Sequence, residues 1–180
     1  VLLPSGVAAA GSFAHGLWWA VFHSVSAFNN AGFDIVGNFR SLTPYQHAPQ
    51  VLVPIAVLVI LGGLSFAVLS DVARERRWGR LTLDSKLVLS MTALLLVVGT
   101  VLILLFEWEN PHTLQPLSVR DRVLNAFFHA VTPRTAGFNS LDVATMNDEA
   151  LFVTIGLMFV GGASGSFAGG IKVQSFAVLV

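Results

Sequence analysis

The sequence predicts an all-α integral membrane protein built from units of outer helix, re-entrant pore loop and inner helix. Three observations lead there. Of the 180 residues, 54% are hydrophobic and only 11% are charged, against roughly 25% charged in an average soluble domain. Three segments stay apolar over the ~20 residues that a bilayer crossing requires. Two polar, glycine-centred loops, "SAFNNAGF" (Ser26 to Phe33) and "TPRTAGF" (Thr132 to Phe138), recur just after a phenylalanine–histidine pair, Phe22-His23 and Phe128-His129. Ten basic residues balance ten acidic ones, so no footprint for nucleic acid is present. The chain has no cysteine, which excludes disulfides and thiolate metal sites.

Taken in order, Gly16 to Phe28, "GLWWAVFHSVSAF", is apolar but short, the length of a half-membrane helix. It runs directly into the first glycine loop. The first full span follows as Val51 to Ser70, uninterrupted by charge until Asp71. Between Asp71 and Lys86 lie Arg74, Arg76, Arg77, Arg80 and Lys86, half of all the basic residues. The positive-inside rule places this loop in the cytoplasm. The second span, Leu87 to Phe106, then exits outward, where Glu107 and Glu109 sit. Val123 to Val131 is a second half-helix, entering the second glycine loop from outside. The third span runs from Leu151 onward, and its Lys172 falls toward the cytoplasm. Beginning at Val1 without a basic leader and ending at Val180 within an apolar run, the chain is expected to be a fragment of a longer polypeptide.

The repeat is close to regular. Phe22-His23 and Phe128-His129 are 106 positions apart, Gly32 and Gly137 are 105, and Gly62-Gly63 and Gly161-Gly162 are 99. The expected division is residues 1–80 as one unit (pore helix, filter loop, inner helix, cytoplasmic loop) and 81–180 as the next (outer helix, pore helix, filter loop, broken inner helix).

Loops of this kind suit cation selection by backbone carbonyls, which replace the ion's water. Neighbouring carbonyls point the same way only if some residues leave the common backbone regions, and glycine does so at little steric cost. Gly32 and Gly137 are the candidates. Each half-helix also aims its carboxyl end, the negative end of its dipole, at the loop. Asn29, Asn30 and Thr135 are expected to hydrogen-bond behind the loops. The third span contains "GGASGSFAGG", Gly161 to Gly170, and each interior glycine costs a helix up to about 1 kcal/mol. A hinge or gate below the filter is expected there, and close packing through small residues is the plainer alternative. The "GGLSF" of the first span has far fewer glycines, so a gate is expected in the later unit alone. His23 and His129 read as packing or hydrogen-bonding groups, Arg134 as a partner for an extracellular carboxylate, and Trp18 and Trp19 as interface aromatics. No nucleophile, base and acid fall together, so an intramembrane enzyme is disfavoured.

"FHSVSAFNNAGFD" (Phe22 to Asp34), "FHAVTPRTAGFN" (Phe128 to Asn139) and "LMFVGGASGSFAGGIK" (Leu157 to Lys172) together resemble the Trk/Ktr/HKT potassium transporter superfamily, most closely the membrane subunit of the bacterial Ktr type. The resemblance implies four such repeats around a potassium-channel-like pore, of which this chain holds about 1.5–2, from the second and third. It assigns Asn30, Ala31, Gly32 and Phe33 to one filter quadrant, and Thr135, Ala136, Gly137 and Phe138 to the next, with potassium held by their carbonyls. It makes Gly161, Gly162, Ala163, Ser164, Gly165, Ser166, Gly169, Gly170 and Lys172 a gating loop. The family loop reads close to G-G-S-P-G-S-T-x-G-G-I-K-T; here Ala163, Ser164 and Phe167 replace its serine, proline and threonine. It implies potassium uptake through the plasma (inner) membrane of a bacterium, with sodium as a candidate coupling ion and no covalent cofactor. The implied partners are a second copy in a homodimer, a cytoplasmic nucleotide-binding regulatory ring and the lipid bilayer. A sodium transporter with similar loops, or a membrane fragment that does not transport, are the alternatives.

Overall fold

The computed structural model describes Leu2, residues 12–38 and residues 40–179; Val1 and Val180, the outer limits of the two expected units, lie outside the described residues. Seven α-helices lie among the described residues: α1 (Phe13–Phe28), α2 (Pro49–Gly63), α3 (Phe66–Glu75), α4 (Leu83–Glu107), α5 (Val119–Val131), α6 (Asp148–Phe159) and α7 (Val173–Leu179). Among the described residues there is no strand, only one isolated parallel bridge between Val160 and Ile171. The all-α expectation holds.

Helix α4 is the one continuous span. Its 25 residues reach about 37 Å at 1.5 Å per residue, enough for a hydrocarbon core of about 30 Å. Thr82 starts it, its hydroxyl accepting from the Ser85 N–H. Leu94, Val97 and Leu105 leave its outer face exposed and apolar, while Val88, Leu96 and Ile103 are buried. Its inward face packs on α5, α6 and α7.

The other two expected spans are broken. The first was read as one helix from Val51 to Ser70, yet α2 ends at Gly63 and α3 runs at 101° to it. The cause is local. Ser65 is extended and its hydroxyl accepts from the Val68 N–H, so it caps a new helix where the old one would have continued. The backbone is therefore interrupted in both of these spans, not only in the glycine-rich later one. The third span divides into α6 and α7 around residues 160–172, which hold the glycine-rich run.

Helix α2 sits at the centre. Both half-helices, α1 and α5, pack against it, and Val51, Leu52, Ile55, Ala56 and Val59 are buried there with Ala27 of α1 and Phe128 of α5. Trp19 belongs to this core at 5% exposure, its ring 4.0 Å from His23 and 5.5 Å from Tyr45. The interface reading thus fails for Trp19 and suits only Trp18, which is exposed. At 3.6 residues per turn, adjacent tryptophans face about 100° apart, so only one of them can look outward.

The outer end of α4 is fastened by Glu107. Its carboxyl is fully buried and accepts from Asn110 Nδ2 at 2.8 Å, from the Thr113 hydroxyl, and from the Asn147 N–H at 2.8 Å. Asn147 is the residue that opens α6, so one side chain fixes the end of α4, the following loop and the start of α6. Substituting Glu107→Gln turns an acceptor into a donor among donors. The expected loss is about 1–3 kcal/mol, the cost of a buried group left unpaired, read as a lower melting temperature of the full-length polypeptide in detergent.

Candidate functional site

The two glycine loops lie against each other. A Cβ added to Gly32 would strike the Ala136 carbonyl oxygen, and one on Gly137 would come within 3.8 Å of the Gly32 Cα. Both glycines are left-handed, at φ 70° and 86°. So are the residues two positions before them, Asn30 at 51° and Thr135 at 78°. A left-handed residue at every second position keeps successive carbonyls from alternating as they do in a strand. The sequence points to the glycines; the pairing with Asn30 and Thr135 was not foreseen.

Each loop is locked to its own half-helix by the same device. The Ser26 hydroxyl donates to the Phe33 carbonyl at 2.7 Å, and the Thr132 hydroxyl donates to the Phe138 carbonyl at 2.5 Å. The Ser26 carbonyl accepts the Ala31 N–H at 2.9 Å; the Thr132 carbonyl accepts those of Ala136 and Gly137 at 2.9 and 3.0 Å. Ser26 and Thr132 carried no assignment from sequence, although each opens its quoted loop. The residues expected to hold the loops behave differently. Asn30 does reach behind, its Nδ2 donating to the Val59 carbonyl at 3.3 Å. Asn29 instead bonds its own helix at Val25, and the buried Thr135 hydroxyl has no protein partner.

Outside the loops, the connections are crosswise. The Leu42 N–H donates to the Asn139 carbonyl, Gln46 Nε2 to the Ser140 carbonyl, and Asn125 Nδ2 to the Gln46 carbonyl, all at 2.8–2.9 Å. His47 Nδ1 meets the Asp121 carboxyl at 2.8 Å, and that contact holds the partly buried carboxyl below the usual carboxylate range. His23 and His129 are buried, bonded to the Trp19 carbonyl and the Thr154 hydroxyl at 2.8 and 3.0 Å. No cluster of metal-ligating side chains occurs among the described residues.

Beneath the loops, the glycine-rich break docks onto the end of α2. The Ala163 and Phe167 N–H groups donate to the Gly63 and Gly62 carbonyls at 2.9 and 3.2 Å. Gly161 N–H bonds the Ile171 carbonyl, Val173 N–H the Gly162 carbonyl, and Lys172 Nζ the Ala168 carbonyl. The Ser166 hydroxyl donates to the Ala163 carbonyl at 2.6 Å, and the Ser164 N–H to Gln174 Oε1. Gly165 and Gly170 are left-handed. Gly169 lies under Thr135, whose methyl is 3.8 Å from where its Cβ would be. Arg134 was expected to pair with an extracellular carboxylate; it turns inward instead, Nη2 donating to the Gly161 carbonyl at 3.0 Å.

Among the described residues, one continuous apolar helix, two interrupted ones and paired left-handed loops give the chain the architecture of an all-α membrane protein. Residues 8–180 match the family model for TrkH, described as a cation transport protein. The chain belongs to this family, whose members are transporters rather than enzymes. It is 43% identical over 168 residues to the potassium/sodium uptake protein NtpJ of Enterococcus hirae, covering 93% of this chain and 37% of that one. It is 42% identical to Ktr system potassium uptake protein B of Bacillus subtilis and 46% identical to that of Vibrio alginolyticus, covering 92% and 91% of this chain and 37% and 36% of theirs. The crystal structure of the potassium transporter TrkH from Vibrio parahaemolyticus shares the fold, with a TM-score of 0.72 at 20% identity over 99% of this chain and 37% of that one. The chain spans a little over a third of the length of these curated relatives.

The hydroxyl locks give a direct test. Thr132→Val keeps the shape but leaves the buried Phe138 carbonyl unpaired, at a cost of about 1–3 kcal/mol. Thr132→Ser keeps the donor. The Val variant is expected to melt below both wild type and Ser; equal melting of the two variants would show that the hydroxyl is idle.

Proposed function

We propose that this chain supplies two of the four quadrants of a potassium filter, with the glycine-rich break as the gate beneath it, in a protein that takes up potassium across a bacterial plasma membrane. Asn30 to Phe33 form one quadrant and Thr135 to Phe138 the next, presenting backbone carbonyls to the ion. On this reading residues 1–80 and 81–180 are parts of two successive repeats. α1 and α5 are their re-entrant pore helices, and the order of helix, left-handed loop, second helix, break and a shorter helix occurs in both.

The observation that carries the proposal is the abutment of Gly32 on the Ala136 carbonyl between loops with left-handed residues at matched positions. The carboxyl ends of α1 and α5 both lead into these loops, which favours a cation over an anion there. Relatives at 42–46% identity are named for potassium uptake, one of them for potassium and sodium. By the same resemblance the full protein works as a homodimer under a nucleotide-binding regulatory ring at its cytoplasmic face, with sodium as a candidate coupling ion. Residues 161–172 occupy the ion path when the gate is closed, held there by Gly62 and Gly63.

Valine at position 32 meets both the left-handed backbone and the Ala136 carbonyl. Gly32→Val and Gly137→Val, made in the full-length polypeptide, are expected to reach the membrane normally and to lose selective rubidium uptake in cells lacking their own potassium uptake. An unchanged preference for potassium over sodium in both variants would overturn the filter assignment.

A further inference from the structure

We infer that Arg134 is a positioning residue that straps the glycine-rich break to both filter loops, and that a single water beside it completes the link to Asn30. The inference rests on reading those loops as a filter and the break as its gate.

Arg134 is 9% exposed. Its recorded partner is a main-chain oxygen, the Gly161 carbonyl. A guanidinium carries five N–H donors, and its Nε is buried without a protein partner. Asn30 Oδ1, on the other loop, is likewise buried and unpartnered, while the same amide's nitrogen is taken by Val59. Both residues line one small cavity of ≈ 10 Å³, along with Thr92, Gly63 and Gly162. About 10–15 Å³ admits one water centre, and a buried water needs two or more polar partners. The Arg134 Nε–H as donor and Asn30 Oδ1 as acceptor provide the two.

The position of the strap gives it a consequence. Gly161 forms the neck of the break, its N–H bonded to the Ile171 carbonyl across it. Arg134 directly precedes Thr135, the left-handed residue of the second loop. Asn30 is the left-handed residue of the first loop. One side chain therefore bonds the neck of the break, stands next to the turning point of the second loop, and shares a cavity with that of the first. The break cannot swing away from α2 without releasing the Gly161 carbonyl from Arg134. The strength of that bond sets how often the gate opens unprompted, and the filter backbone feels the release.

The test uses the full-length polypeptide in lipid nanodiscs and vesicles. Arg134→Gln is expected to speed amide exchange across residues 160–173 about tenfold, the factor for losing one charge-assisted bond, with exchange across residues 87–106 unchanged. Basal rubidium flux is expected to rise by a similar factor with the potassium-over-sodium preference retained. Arg134→Lys keeps one donor and should fall between. A high-resolution map of the wild type should place density within hydrogen-bond reach of Arg134 Nε and Asn30 Oδ1. Wild-type exchange in Arg134→Gln, a guanidinium turned away from Gly161, or a cavity without density would each overturn the inference. Should Arg134→Gln fail to insert, wild-type exchange in Arg134→Lys does the same. Failure of the filter reading is seen separately, in Gly137→Val.

Discussion

Backbone that leaves the helix at membrane depth must find its hydrogen bonds inside the protein, because lipid offers none. Every unusual feature of this chain follows from that constraint. Breaking α2 at Gly63 frees the carbonyls of Gly62 and Gly63, and breaking the third span frees a run of N–H groups. The two breaks satisfy each other: Phe167 and Ala163 donate to Gly62 and Gly63. Neither interruption would be tolerable alone, which explains why they occur side by side.

The filter loops meet the constraint differently. On the proposed reading as a filter their carbonyls are left free for an ion, and the fold fastens only the ends of each loop. Ser26 and Thr132 take the carbonyls of Phe33 and Phe138, and the half-helix ends take the intervening N–H groups. What remains between is a left-handed residue at every second position, Asn30 and Gly32 in one loop, Thr135 and Gly137 in the other. Hydroxyl, left-handed residue, glycine and phenylalanine recur in the same order in both copies, although the hydroxyl lies seven residues before the phenylalanine in the first and six in the second. The two phenylalanines differ in surroundings: Phe138 is fully buried and Phe33 is 69% exposed.

Much of this was legible in the sequence because it depends on local pattern. The half-helices show as short apolar runs ahead of glycine, the α4 span as an uncharged stretch between Lys86 and Glu107, and the second break as five glycines in ten residues. The first break was hidden because "GGLSFAVLS" is apolar enough to pass for a continuing helix. Its signal was Ser65, a capping residue whose role shows only once a helix is known to begin after it. Contacts made across the fold were not legible at all. Nothing near Arg134 in sequence says that it will find the Gly161 carbonyl, 27 positions away, rather than a carboxylate. Likewise, the choice between Trp18 and Trp19 for the core is made by α2 and Tyr45, not by the helix that carries them.

Phe167 shows how far such contacts can loosen the link between residue type and role. It stands where the family loop that this one resembles carries threonine, and from sequence a phenylalanine there puts the polarity of a gate in question. The structure sets its ring against Phe28, at the end of the first half-helix, with centroids 5.5 Å apart. Its contribution to the docking of the break is its N–H, which bonds the Gly62 carbonyl as any residue's N–H would. The polar contacts that seat the break come from main-chain groups, from Ser166, Lys172 and Gln174, and from Arg134 above. Because those contacts do not depend on position 167, a phenylalanine there changes what the break leans on without changing what it is bonded to. The aromatic pair adds an apolar contact between the break and the end of α1, where the first loop begins, while Arg134 ties the break to the second loop.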